Sequence, residues 1–159
     1  WRSRAEMAIV LRRGGAQDVR FLRDMLVHAY YWRARVPGSI VSRYVRGWGR
    51  PGDTAVIALE GGFPVGAAWY RVFAEAEPGY GFVDERTPEL AIAVVPSKRG
   101  HGIGDEMLKE LVGKARAAGY DRLSLSVEPG NPARKLYERH GFAVVDEGAE
   151  AWTMVAELA

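Results

Sequence analysis

Cysteine is absent from this chain of 159 residues, and its absence excludes several kinds of chemistry. Without thiols the protein forms no disulfide, binds no metal through thiolates and has no cysteine nucleophile. No serine stands in a recognisable nucleophile elbow, so the sequence offers no obvious residue for a covalent enzyme intermediate. No metal site is evident. The lack of cysteine is compatible with a reducing compartment, and the expected location is the cytoplasm.

Long apolar runs and a strong net charge are missing as well. No run approaches the length of a membrane span, and residues 1–6 lack the apolar core of a signal peptide, so neither a membrane nor secretion is expected. The 22 Lys and Arg residues against 20 Asp and Glu leave a net charge of +2. This charge is too small to indicate nucleic acid as the main partner.

The length and composition predict a single globular domain. A chain of 159 residues can bury one substantial core and is short for two. The hydrophobic fraction of 48% and the charged fraction of 26% are ordinary for a globular protein. Because Met7 opens the first apolar stretch, the domain is expected to span residues 7–159. Residues 1–6 are interpreted as an extension outside the fold or a remnant of expression.

The spacing of apolar residues predicts a mixed α/β fold with one right-handed crossover. Short apolar runs predict strands at 7–11, 55–59, 65–73, 90–95, 123–127, 142–145 and 152–156. Helical spacing predicts four helices, which start at Asp18, Ser39, Ile103 and Asn131. The turn residues Glu60-Gly61-Gly62 indicate that the second and third strands form an antiparallel hairpin.

The loop from Pro96 to Gly104 joins a predicted buried strand to a predicted helix, and its composition is typical of an anion site. It contains Lys98, Arg99 and three glycines at alternate positions. Such glycines let the backbone curl so that several N–H groups point inward, and the helix N-terminus adds a partial positive charge. A pyrophosphate group fits such a site.

Two other phosphate-binding motifs fit this loop less well. A dinucleotide fingerprint requires a third glycine where Met107 stands, and four residues separate the strand from Gly100. A Walker loop requires Gly-Lys-Ser or Gly-Lys-Thr, which does not follow. A dinucleotide-binding oxidoreductase, with Glu128 as the ribose ligand, stays open as an alternative.

The segment Arg99-Gly100-His101-Gly102-Ile103-Gly104 matches Arg/Gln-x-x-Gly-x-Gly/Ala, which is the central signature of the GNAT family of N-acetyltransferases. The likeness covers about residues 88–145. It runs through 90–96 and continues in Asn131, Ala133, Leu136, Tyr137, Glu138, Gly141 and Phe142. The chain therefore resembles this family, and the resemblance implies the acyl-CoA N-acyltransferase fold. That fold has a mostly antiparallel sheet with a splayed parallel strand pair, flanked by about four helices.

The resemblance implies acetyl-coenzyme A as the co-substrate and a primary amine, on a small molecule or a protein, as the acceptor. The first cofactor strand would pair its backbone with the pantetheine arm, and the Val94 N–H would polarise the acetyl carbonyl. Amides from Gly100 to Asp105 would bind the pyrophosphate. Cofactor contacts are thus assigned to Ile92, Ala93, Val94, Arg99, Gly100, His101, Gly102, Ile103, Gly104, Asp105, Asn131 and Tyr137.

Two side chains are candidates for acid–base catalysis. Tyr137 matches the family's tyrosine near the thioester sulfur, where a phenol could donate a proton to the departing thiolate. Its spacing from Ala133 is equally typical of a core aromatic. Glu89, at the start of the cofactor strand, is the candidate base, because attack on a thioester requires a neutral amine. A water chain in place of Glu89 is the alternative.

The acceptor and the assembly are less defined by the sequence. The cluster Tyr30-Tyr31-Trp32 and Trp48 could line an acceptor pocket or pack in the core. The acidic stretch Glu75, Glu77, Asp84, Glu85 and Glu89 would attract a cationic amine if it faced the site, and a solvated loop is the alternative. A homodimer is expected. A non-catalytic module that binds coenzyme A is the main alternative to an enzyme.

Overall fold

The computed structural model describes residues 8–29 and 42–159, and within them seven strands form one sheet. The strands are β1 Ile9–Arg13, β2 Thr54–Glu60, β3 Phe63–Arg71, β4 Glu89–Val94, β5 Arg122–Val127, β6 Phe142–Glu147 and β7 Trp152–Glu157. They lie in the order β1-β2-β3-β4-β5-β7-β6, and only β4 and β5 are parallel neighbours. The predicted mixed sheet is therefore confirmed. It differs from the largely parallel sheet of a dinucleotide-binding domain.

Three α-helices flank the sheet in the described part of the chain: α1 Val19–Ala29, α2 Ile103–Ala117 and α3 Arg134–Arg139. None of these helices has the length and apolar character needed to cross a membrane. The predicted helix start at Ser39, the cluster Tyr30-Tyr31-Trp32 and residues 1–6 lie outside the described residues. The described end of that predicted helix, residues 42–47, consists mainly of turns.

The β2–β3 hairpin is confirmed, but β3 begins earlier than its apolar run indicates. The turn contains only Gly61 and Gly62, whose φ angles of +56° and +82° are those that a two-residue hairpin turn with two left-handed positions requires. Glu60 consequently pairs with Phe63. The predicted bounds of 65–73 were therefore wrong by two residues. β1 is displaced in the same way from 7–11, because its pairing with β2 continues to Arg13.

The sheet is covered on both faces, and its side chains alternate between them. Leu123, Leu125 and Val127 of β5 pack in the cluster that contains α2, whereas Ala91 and Ala93 of β4 pack in the cluster that contains α1. We refer to these as the α2 face and the α1 face. Because both faces are buried, the central strands are rich in apolar residues, and this composition made them detectable in the sequence.

β4 and β5 are hydrogen-bonded only where they begin. Glu89 pairs with Ser124, and the Ser124 N–H donates to Pro88 O at 2.9 Å. Beyond that point β4 follows β3 as far as Val94, and β5 follows β7 as far as Val127. The two strands therefore separate toward their carboxyl ends. This is the splayed parallel pair that the family resemblance implied.

A buried ion pair fixes the turn at 42–47 to the sheet. Arg71 of β3 donates from Nε and Nη2 to the two carboxylate oxygens of Asp53, at 2.9 and 2.7 Å. Its Nη1 donates to the backbone oxygens of Arg43 and Arg46 at 2.8 and 2.6 Å. The Trp48 ring lies 5.5 Å from this guanidinium, so Trp48 packs against the ion pair.

Arg71→Ala is expected to destabilise the protein by about 3–5 kcal/mol, because it leaves the Asp53 carboxylate buried without its partner. Urea unfolding monitored by circular dichroism measures the change. The matched control is Arg46→Ala, which removes the exposed pair with Glu77 and should cost less than about 1 kcal/mol. Similar losses in the two variants would contradict the role of the buried pair.

Candidate active site

A cleft of about 560 Å³ opens at the carboxyl end of β4, beyond the residue at which β4 pairs with β5. It is walled by the carboxyl end of β4, the glycine loop, the first turn of α2, and α3, and it reaches the last residues of α1, His28 and Ala29. Every predicted cofactor contact lines this cleft except His101. The structure thus brings together residues that are separated by up to 45 positions between Ile92 and Tyr137.

The glycine loop owes its shape to left-handed backbone at two positions. Gly100 and Gly102 both have φ of +80°, which a residue with a Cβ adopts only at a cost. Gly104 acts differently: a Cβ there would lie 3.2 Å from the Leu136 side chain, so this glycine lets α2 approach α3 closely. The three glycines of the motif therefore serve the turn and the helix packing.

The start of α2 offers backbone donors to the cleft. Ile103, Gly104 and Asp105 are the first three residues of the helix, and N–H groups at these positions have no intrahelical acceptor. The first intrahelical bond runs from the Glu106 N–H to Gly102 O, at 3.2 Å. N–H groups without an intrahelical acceptor and the helix dipole together favour an anion at this end of the cleft.

Charged side chains surround this loop. Lys98 is bound to Glu60 at 2.7 Å, and Arg99 Nε donates to Val94 O at 3.3 Å. The Asp105 carboxylate contacts Arg139 and His140 of the α3 segment, each at 3.0 Å. The hydrogen bond from His140 is the main reason why the pKa of Asp105 is lowered. These contacts tie the loop to β2 and to α3.

Backbone groups of β4 point into the gap beside the loop. The Val95 N–H donates to Val65 O of the neighbouring β3 segment at 2.9 Å. Because N–H groups alternate in direction along an antiparallel strand, those of Ile92 and Val94 point away from β3 and toward the separated β5. They are therefore placed where an extended ligand could accept hydrogen bonds from them.

Tyr137 lies on α3 at the wall of the cleft and is almost fully buried. Its ring meets Phe142 edge to face, with the ring centroids 6.3 Å apart. Burial raises the pKa of the phenol to about 12. The group consequently keeps its proton at neutral pH and can act as a hydrogen-bond donor toward the cleft.

Asn131 precedes α3, and its side chain hydrogen-bonds the backbone at the start of that helix. Its Oδ1 accepts a hydrogen bond from the Ala133 N–H at 2.9 Å, and α3 begins at Arg134. The side chain also lines the cleft. The bond to the Ala133 N–H and a place at the cleft wall are therefore compatible for this residue, and its contact with the cofactor stays a prediction.

Glu89 is completely buried and does not belong to the walls of the cleft. Its Oε2 accepts hydrogen bonds from the Tyr44 hydroxyl and from the Gly81 N–H, the latter at 3.1 Å. Burial raises the pKa of the carboxyl to about 7, against the smaller opposing effect of these bonds. Glu89 is thus a carboxyl group that can exchange a proton near neutral pH.

The rest of the acidic stretch is partly neutralised. Glu77 pairs with Arg46, and Asp84 pairs with Arg122. The Glu85 carboxylate accepts a hydrogen bond from the Glu75 N–H at 2.9 Å. The stretch therefore consists largely of side chains with partners of their own, apart from the buried Glu89.

Sequence reasoning missed two residues. Tyr44 falls in the predicted helix that starts at Ser39, and its hydrogen bond to Glu89, 45 positions away, has no local signal in the sequence. His28 lines the cleft from the last turn of α1. Its position at the end of an amphipathic helix was the only available indication.

The chain is similar to known proteins over most of its length. Residues 19–142 match the model of the Acetyltransferase (GNAT) family. The chain therefore belongs to the GNAT acetyltransferase family, which agrees with the splayed strand pair and the glycine loop described above.

Two relatives and one solved structure of the same fold illustrate the similarity. The chain is 28% identical over 130 residues to a mycothiol acetyltransferase of Corynebacterium aurimucosum, covering 75% of this chain and 41% of the relative. It is 40% identical over 55 residues to the [ribosomal protein bS18]-alanine N-acetyltransferase of Haemophilus influenzae, covering 35% of this chain and 38% of the relative. The chain spans about two fifths of the length of these relatives. The structure of yncA from Salmonella typhimurium with its cofactor acetyl-CoA superposes with a TM-score of 0.72 at 19% identity, covering 96% of this chain and 95% of that one.

Glu89→Gln is expected to change how stability depends on pH. The pKa of this carboxyl is about 7 in the folded chain, against an ordinary value of 4.5 outside the fold. The folded state therefore holds the proton more tightly than the unfolded state does. The contribution of the protonated carboxyl to the free energy of unfolding should be lost as the pH rises from about 4.5 to about 7. Urea unfolding at about pH 5 and about pH 8 should show a larger relative gain for the variant at the higher pH. An equal difference at both pH values would contradict it.

Proposed function

We propose that this chain transfers the acetyl group of acetyl-coenzyme A to a primary amine, without a covalent enzyme intermediate. The observation that carries the proposal is the gap between β4 and β5, which lies beside a glycine loop at the N-terminus of α2. Membership of the acetyltransferase family supports it. A location in the cytoplasm and a homodimer stay predictions.

The cleft suits the parts of acetyl-coenzyme A in order. Its pyrophosphate would accept hydrogen bonds from the backbone N–H groups between Gly100 and Asp105. Its pantetheine arm is extended and carries amides, so it can bond the backbone of Ile92 to Val94 as an added strand would. The thioester would then lie toward the base of the gap, near Tyr137.

The reaction forms a bond between the amine nitrogen and the acetyl carbon and breaks the bond between that carbon and sulfur. Positioning the two substrates in one cleft supplies part of the rate. The Val94 N–H would stabilise the oxygen as charge develops on it. Tyr137 would donate a hydrogen bond to the departing thiolate, and Glu89 would receive the proton that the amine loses.

Glu89 cannot receive this proton by direct contact in the structure as it stands, because it lies outside the walls of the cleft. It occupies the first residue of β4, whereas the cleft begins at Ile92 on that strand. A proton acceptor at this position requires an intervening group. The base that we assign is therefore Glu89 acting through an intermediary.

Tyr137→Phe is expected to lower kcat at least tenfold, a loss of about 1.4 kcal/mol of transition-state stabilisation. The affinity for acetyl-coenzyme A should change little, because phenylalanine keeps the packing against Phe142. Thiol release from acetyl-coenzyme A with a panel of amines measures the rate, and calorimetry measures binding.

The matched control for this experiment is Tyr120→Phe. Tyr120 contacts Tyr70 in the core at a centroid distance of 5.7 Å and does not line the cleft. The Tyr120→Phe variant should have the kcat of the native chain. An unchanged kcat in Tyr137→Phe would remove this residue from the chemistry. Tight acetyl-coenzyme A binding without transfer to any amine would instead favour the non-catalytic module.

Gly102→Ala is expected to weaken acetyl-coenzyme A binding at least tenfold. The left-handed conformation at this position costs alanine about 1–2 kcal/mol, so the loop would shift and misdirect its N–H groups. The control is Gly113→Ala within α2, where no atom lies within 4 Å of the added Cβ. That variant should bind normally and gain about 0.5–1 kcal/mol of stability. Equal affinities in the two variants would exclude the loop as the pyrophosphate site.

A further inference from the structure

Helix α1 brings a titratable side chain to the cleft. His28 lies in the last turn of this helix and lines the cleft beside Ala29. The buried residues of α1 pack in the cluster of the α1 face, whereas Ile103 and Tyr137 belong to the cluster of the α2 face. His28 therefore reaches the gap from the side opposite to the groups that suit the cofactor.

The imidazole of His28 is partly exposed, and within the described chain no residue forms a hydrogen bond or ion pair with it. His140 differs in this respect, because its Nε2 contacts the Asp105 carboxylate at 3.0 Å. A neutral imidazole has one nitrogen with a free lone pair. His28 can thus offer this lone pair to a ligand in the cleft.

The described wall of the cleft carries further titratable side chains, so that the full set is His28, Lys98, Arg99, Asp105, Tyr137 and Arg139. A group that accepts the proton of the amine must be unprotonated near neutral pH. Lysine and arginine are cations under these conditions, and Tyr137 keeps its proton because its pKa is about 12. His28 and Asp105 remain as possible acceptors in this wall.

Asp105 is unsuited to this role. It stands in the first turn of α2 beside the glycine loop, where an anion is expected. Its carboxylate contacts Arg139 and His140, each at 3.0 Å, and its lowered pKa makes it a weak base. Histidine, by contrast, ordinarily changes its charge between about pH 5 and pH 8. His28 is therefore the side chain of the described wall that suits a base at neutral pH.

We propose that His28 takes the proton directly from the acceptor amine. This proposal rests on the proposed function, in which the amine needs a proton acceptor at the cleft and Glu89 lies outside its walls. The cofactor is held from the α2 side, so the amine approaches the acetyl carbon from the α1 side, where His28 stands. As the carbon–nitrogen bond forms and the carbon–sulfur bond breaks, the proton passes from the amine nitrogen to the free imidazole nitrogen.

The position of His28 suits the positive charge that this step creates. The imidazolium lies at the carboxyl end of α1, where the helix dipole stabilises a cation, and Asp24 stands one turn earlier on the same helix. The charged residues across the cleft belong to the glycine loop, α2 and α3, and are Lys98, Arg99, Asp105 and Arg139. Because the ring is partly exposed, the imidazolium returns its proton to solvent after the products leave.

His28→Ala is expected to lower kcat at least tenfold near pH 7, with little change in the affinity for acetyl-coenzyme A. Thiol release measures the rate, and calorimetry measures the affinity. Alanine is the best helix former, so α1 should fold as in the native chain, which circular dichroism checks. The matched control is Val27→Ala, because Val27 is 66% exposed on the same turn and does not line the cleft. This variant should have the native kcat.

Added imidazole distinguishes a base from a merely structural residue. The space that alanine leaves in the cleft wall admits an imidazole molecule, which should restore part of the rate of His28→Ala and none of the rate of Tyr137→Phe. The restored rate should rise with pH as the added imidazole loses its proton. A native kcat in His28→Ala would overturn the proposal and leave Glu89 as the assigned base. A lowered kcat that imidazole does not restore would overturn it as well.

A magnetic resonance experiment on the full chain tests the position of His28 without any turnover. Addition of coenzyme A should shift the imidazole proton signals of His28, which are identified by their loss in His28→Ala. Signals that do not move would overturn the proposal. If they shift but the native chain acetylates no amine in the panel, the result would instead refute the proposed function, on which this proposal rests.

Discussion

The pairing of Glu89 with Ser124 is the only backbone register that joins β4 to β5 in the described chain, and the cleft depends on its ending there. Past this pair β4 stays paired with β3 and β5 stays paired with β7, and the edges that β4 and β5 turn toward each other carry no further pairing. The backbone groups of Ile92 and Val94 that face the gap therefore lack a strand partner. A buried backbone group without a partner is costly, and an extended ligand with amide groups relieves that cost.

The two faces of the sheet contribute different parts of the site. The α2 face supplies the glycine loop, the N-terminus of α2 and Tyr137, which are the groups suited to an anion and a leaving thiolate. The α1 face supplies Glu89 and the contacts that hold it. Arg71 connects this face to the turn that carries Tyr44, since it bonds the backbone oxygens on both sides of that tyrosine. Groups from the two faces can approach the same ligand only at the gap, because the sheet is open there.

The sequence predicted most of the fold because its signals are local. The glycine motif, the amphipathic helices and the apolar strands each occupy a short window, and their order suffices for a mixed sheet. The environment of Glu89 was not predictable in this way. A glutamate beside an acidic stretch is typical of a solvated loop. Only the contact with Tyr44 and the close approach of the Gly79 backbone show that Glu89 is buried. The alternation in Leu123-Ser124-Leu125-Ser126-Val127 likewise predicts a polar face but cannot show that a loop covers it.

The two acid–base candidates have compatible protonation states. Burial raises both pKa values, to about 7 for Glu89 and about 12 for Tyr137. Above pH 7 the carboxylate is free to accept a proton while the phenol still holds its own. A thiol has an ordinary pKa of about 8.5, so full proton transfer from Tyr137 to the thiolate is unfavourable. Tyr137 therefore acts best as a hydrogen-bond donor that stabilises the developing charge. The departing thiolate can then be protonated by solvent, and Glu89 alone needs a path for the proton.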